Sequence, residues 1–179
     1  MDILKSINAN QVNLVLMPGI EYNRTIVDFA KVLSTKRICY VTFNKTVESL
    51  KELFNKNKVN VKNMFFIDAI TKSIKEMPSK TNTEYYLSPG SLTEVSLTIS
   101  MALRQDIDFF IFDSLTNLFS YQGKDNVEKF ILTMINQIRQ TKAKAVLYAL
   151  DEQEALIPRC CMFVDNTLVL KAQTPLATR

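Results

Sequence analysis

A chain of 179 residues, 47% hydrophobic and 22% charged, with a mean hydropathy of +0.01, has the size and composition of one globular domain burying roughly 70% of its unfolded surface, which excludes disorder and collagen-like repeats. The absence of histidine removes Ser-His-Asp and Cys-His nucleophilic catalysis, histidine proton shuttles and every histidine-containing zinc site. Twenty-two basic against eighteen acidic residues give a net charge of +4, with the lysines scattered, which reads as solvated faces ahead of a nucleic-acid patch.

The N-terminus carries Asp2 and no long apolar run. Every apolar stretch is broken by charge well short of the ~20 residues that span a membrane. Neither export nor membrane insertion is expected, and a cytoplasmic setting is. The first strand is predicted at Val12 to Met17, followed by a helix whose Ile26, Phe29, Ala30 and Leu33 share one face. A second strand, Ile38 to Phe43, leads to a weaker helical stripe of Val47, Leu50 and Phe54, and a third strand covers Met64 to Ile67.

Thr71 to Gly90 reads as one long irregular segment, rich in Lys, Ser, Thr, Asn and Pro and carrying Tyr85 and Tyr86, either a binding loop or disordered. Leu92, Val95, Ile99 and Leu103 mark the next helix, and Ser91 with Glu94 has capping-box spacing. After a strand at Phe109 to Phe112 come Phe119 and Tyr121, read as core or rim packing ahead of base stacking. The stripe Val127, Ile131, Met134 and Ile138 follows Gly123, with Asp125 and Glu128 again three apart.

Strands at Ala145 to Leu150 and Thr167 to Leu170 bracket a last helix. Asp151, Glu152 and Glu154 are expected to complement its N-terminal dipole. Met134 and Met162 are read as core filling, and the tail from 171 to 179, with Pro175, is expected to fray. The three cysteines, Cys39, Cys160 and Cys161, have neither metal-ligand spacing nor an even count, and are read as reduced thiols. Apolar strands alternating with amphipathic helices predict an α/β domain over 1–179, its core at 12–170, with a mostly parallel sheet covered on both faces.

In such sheets ligands sit outside the carboxyl ends of the strands. The turn after the first strand, Pro18-Gly19-Ile20-Glu21-Tyr22-Asn23-Arg24-Thr25, lies where a phosphate-binding G-x-x-x-x-G-K-[ST] loop would lie. With Thr25 at the hydroxyl position, Arg24 takes the lysine position, Asn23 the second glycine and Pro18 the first. Asn23 can adopt a positive φ and Arg24 can pair with phosphate, but Pro18 offers no amide and Glu21 adds negative charge. A strand-to-helix turn with no ligand is the competing reading, and the missing chemistries favour it. Asp108-Phe109-Phe110-Ile111-Phe112-Asp113-Ser114 has the form of a Walker-B strand whose acid, Asp113, either holds a magnesium shell or caps the next turn.

The segments PGIEYNRT, YVTFNKTVESLKEL, YLSPGSLTEVSLTISMAL and DFFIFDSLTNLF, in this order, together resemble the KaiC-like branch of the RecA superfamily, and in particular its archaeal members with eroded P-loops. The resemblance implies a RecA-like P-loop NTPase fold. It implies a degenerate nucleotide site at Gly19, Asn23, Arg24 and Thr25, and ATP with magnesium as the group that Asp113 and Thr25 would hold. Active members end the second strand with a glutamate that activates water, where this chain has Asn44 and Lys45. Neither replaces a carboxylate base.

The reading that follows is a noncatalytic regulatory or interaction module with weak or absent ATP binding. Its expected partner is a second copy, a related active ATPase or a signalling protein. An ATPase or autokinase using Arg24 is the alternative, and nucleic-acid binding ranks last.

Overall fold

The computed structural model describes residues 3–81, 84–151 and 157–172. A short helix α1 (Ile3–Asn8) precedes β1 (Val12–Met17), a 3-10 turn (Gly19–Glu21) and α2 (Tyr22–Val32). Then come β2 (Ile38–Thr42), α3 (Val47–Lys56), β3 (Met64–Asp68), β4 (Glu84–Tyr86) and α4 (Leu92–Leu103). The chain continues through β5 (Phe109–Asp113), α5 (Leu115–Tyr121), α6 (Lys124–Arg139), β6 (Lys144–Leu150), α7 (Ile157–Cys161) and β7 (Asn166–Val169).

The seven strands form one sheet in the order β4-β3-β2-β5-β6-β1-β7, every pair of neighbours parallel. All residues of β1, β2 and β5 are buried, as a sheet covered on both faces requires. Alternation splits their side chains between two cores. Val12, Leu14, Val41, Phe110 and Phe112 pack beneath α4, α5 and α6. Val15, Met17, Tyr40, Ile111 and Tyr148 pack beneath α2 and α3. This is the predicted α/β architecture, with each predicted strand present.

Five expectations change. The irregular segment Thr71 to Gly90 contains a 3-10 turn at Thr71–Ser73 and the edge strand β4, which pairs Phe66 with Glu84 and Asp68 with Tyr86. Three residues are too few to show a period of two, and their anchoring is tertiary, through the ion pair of Lys51 with Glu84 and the Tyr86 hydroxyl on Glu84 (2.6 Å). The capping boxes do not form. Ser91 accepts no side-chain bond from α4, and α6 starts behind Gly123 with Asp125 already in its first turn. The side-chain caps are instead Thr46 on the Ser49 amide (3.2 Å) and Ser114 on the Asn117 amide (3.3 Å). Met162 is exposed rather than core.

Asp151 stands outside the first turn of α7, its amide bonded to the Met17 carbonyl (3.0 Å). Glu152, Glu154 and Pro175 lie outside the described residues. Cys39 and Cys160 are buried, Cys161 is half-buried, and all three are free thiols. Burial raises the Cys39 thiol far above its usual range and the Cys160 thiol to about 11, so both are protonated and unreactive at neutral pH. Phe119 packs partly against the core, and Tyr121 lies exposed on the surface.

Candidate functional site

The candidate site is the carboxyl edge of β1, β2 and β5. After Met17 the chain makes one extended residue, Pro18 (φ −63°, ψ 144°), and enters the 3-10 turn directly. The Glu21 amide bonds the Pro18 carbonyl (2.9 Å), and the Tyr22 amide bonds that of Gly19. The Glu21 and Tyr22 amides are thereby taken up within the turn. No glycine among the described residues has a positive φ, and Lys58 is the one described non-glycine that does. Asn23 therefore does not adopt the left-handed conformation that its place in the motif allowed. It lies inside α2, where helical geometry fixes its φ.

Arg24 is half-exposed and reaches Glu21 at 3.9 Å and Asp28 at 3.7 Å. Both are loose contacts of a solvated guanidinium, worth little each. Thr25 is buried. Ile20, at 85% exposure, stands out from the turn. Thus Gly19, Asn23, Arg24 and Thr25 lie on one continuous helical entry rather than around a concave loop.

Asp113, at the end of β5, is fully buried. Its Oδ2 accepts hydrogen bonds from the Tyr22 hydroxyl (2.5 Å) and the Tyr40 hydroxyl (2.7 Å). Its Oδ1 has no partner among the described residues, and neither has the buried hydroxyl of Tyr148. Burial pushes the Asp113 carboxyl up to about 6, against the pull of the Tyr22 and Tyr40 hydroxyls, the Lys45 charge and the Asn44 amide. Burial, with the Asp113 charge added to it, holds the Tyr22 and Tyr40 phenols well above their usual range.

The second-strand station is equally occupied. Asn44 accepts from the Asn117 side chain (3.3 Å), which also accepts from the Ser114 hydroxyl (2.8 Å). The Lys45 ammonium lies 5.7 Å from the centroid of the Tyr22 ring, a cation over an aromatic face. The Asp113–Ser114 peptide is cis.

Magnesium keeps several waters and near-octahedral oxygen geometry. An aspartate sealed from solvent, with two phenols on one oxygen, does not fit that ion. Among the described residues no group of three acidic or cysteine side chains is placed to hold a metal.

Sequence reasoning located Asp113 and the Asn44-Lys45 pair but missed Tyr22, Tyr40 and Tyr148. The available signal was weak: a tyrosine in a buried apolar strand or helix face needs a partner for its hydroxyl, and Tyr22 stands inside the PGIEYNRT turn itself. A groove of about 610 Å³ lies elsewhere, between α4 and α6, lined among others by Ser91, Leu97, Lys129, Phe130 and Thr133.

No protein-family model matches this chain, and no curated protein does. Its structure is similar to the crystal structure of a KaiC-like protein from the hyperthermophilic archaeon Pyrococcus horikoshii. The TM-score is 0.68 at 8% sequence identity, over 94% of this chain and 74% of that one. The chain thus shares the fold of that KaiC-like protein.

Proposed function

We propose that this chain is a noncatalytic RecA/KaiC-like module that acts in cytoplasmic signalling through protein contacts, with a second copy of itself, a related active ATPase or a signalling protein as partner. The observation that carries this reading is the Tyr22 hydroxyl on Asp113 at 2.5 Å. The first turn of α2, which should open to phosphate, instead delivers a ring onto the acid that should hold magnesium. The absence of a carboxylate at Asn44 and Lys45 supports it, since water has no base there. Among the described residues no helix is long and apolar enough to cross a membrane.

The test is isothermal titration calorimetry with ATP and ADP, with and without magnesium, on the chain and on Arg24→Ala and Asp113→Ala variants. No saturable heat up to millimolar nucleotide is expected. Magnesium-dependent ATP binding lost in both variants, followed by slow hydrolysis, would overturn the reading in favour of a divergent ATPase.

A further inference from the structure

Helix α4 has one charged residue in twelve, Glu94. Its inner face, Val95, Ile99, Ala102 and Leu103, is buried in the core. Its outer face also carries two large apolar side chains, Leu97 63% and Met101 51% exposed. A helix apolar on both sides is ordinarily covered on both sides. At 3.6 residues per turn, Thr93, Leu97, Met101 and Arg104 form the outward stripe, with Glu94 on its flank.

The stripe is self-complementary about Ile99. Glu94 and Arg104 stand five residues to either side of that position, and Leu97 and Met101 two. Among the described residues neither Glu94 nor Arg104 has an ion-pair partner. We infer that α4 is the centre of a two-fold homodimer interface, in which it packs antiparallel against α4 of a second copy. Leu97 then meets the second copy's Met101, and Glu94 the second copy's Arg104, each contact occurring twice, as an isologous interface demands.

Parallel packing would set Glu94 on Glu94 and Arg104 on Arg104, so charge selects the antiparallel arrangement. A crossing near 20° keeps both ends of the stripe in contact. An ordinary interface buries about 800 Å² per partner, more than one helical stripe supplies. The α6 side of the neighbouring groove, with Asn126, Lys129 and Thr133 beside Leu97, extends it. The inference names a surface for the interaction reading above. Because α4 packs on the opposite sheet face from Tyr22, the dimer assay and the nucleotide titration fail separately.

Sedimentation equilibrium of the full chain tests it. A concentration-dependent dimer is expected, weakened about 30-fold in E94R alone and in R104E alone, because each sets like charges together at both ends. An equimolar mixture of the E94R and R104E chains restores the dimer, since every pair across the axis is then opposite in sign. That rescue also shows that both variants fold. Leu97→Lys abolishes association without changing the far-ultraviolet circular dichroism. A chain monomeric at every concentration, a dimer indifferent to all three substitutions, or a mixture that does not reassociate would each overturn the inference.

Discussion

Two buried aspartates end two strands on either side of β2, and their surroundings differ in kind. Asp68 Oδ1 accepts from the Ile70 and Thr71 amides (2.8 and 2.7 Å), and its Oδ2 from the Val47 amide (2.8 Å) and the Thr71 hydroxyl (2.6 Å). Three of these donors are backbone, so the carboxylate ties the start of α3 and the turn after β3 to the sheet. Asp113 is held by two phenols on one oxygen, while the other accepts no hydrogen bond among the described residues. A fully satisfied buried carboxylate is a structural pin, whereas a half-satisfied one is costly to keep ionised. The same residue type at equivalent strand ends thus carries two roles, set by the donors that the fold brings to it.

The largest expected effect is on the pinned site. Asp68→Ala leaves three backbone amides without their acceptor, and chemical unfolding should show a loss of about 3 kcal/mol or more. A loss under about 1 kcal/mol would remove the distinction between the two acids.

At Asp113 the effect should appear as a pH dependence. Its folded carboxyl binds a proton more tightly than the unfolded one, with its value raised from 3.8 to about 6. The stability it supplies is therefore complete below 3.8, declines as pH rises through about 6, and is gone above that. The difference amounts to about 3 kcal/mol. Asp113→Asn should cancel this decline, so that the two unfolding curves diverge between pH 4 and 7 with the variant above the wild type at neutral pH. Glu84 and Asp165 act in the opposite sense at lower pH. Burial opposes their ionisation, but Lys51 and Tyr86 on the one and Arg139 on the other hold them below the usual range. The comparison with Asp113→Asn subtracts that background. Parallel curves for the two proteins would contradict the assignment.

The smallest effect separates the hydroxyls. Tyr22→Phe removes a donor from a buried carboxylate and should cost about 1–2 kcal/mol at pH 8, and less at pH 5. Tyr148→Phe removes a buried hydroxyl that has no partner among the described residues and should be neutral or stabilising by up to about 1 kcal/mol. Equal losses from the two substitutions would mean that Tyr22 contributes only its ring.

The strands were legible because each is a contiguous apolar run, and β1 matches its predicted bounds at both ends. Helix stripes were legible for the same local reason. Ser91 and Glu94 had the right spacing for a cap, yet the Ser91 backbone (φ −104°, ψ 74°) lies away from the extended conformation a cap uses. Spacing records residue types, whereas a cap depends on the dihedrals that the preceding turn imposes. Thr46 and Ser114 met that condition and went unread, because no glutamate or glutamine follows either three residues on.

The chain by itself determined the α/β class, the strands Val12–Met17 to Asn166–Val169 with the exception of β4, and which residues, among them Asn23, Arg24, Asn44 and Lys45, follow the first two strands, because all of these are local in sequence. Only the tertiary structure decided that Tyr22 and Tyr40 close over Asp113 from 91 and 73 residues away. It likewise decided that Glu84–Tyr86 joins the sheet and that α4 keeps Leu97 and Met101 outward. A side chain's partner is fixed by which distant elements pack beside it, and that is a property of the folded layers rather than of any stretch of the chain.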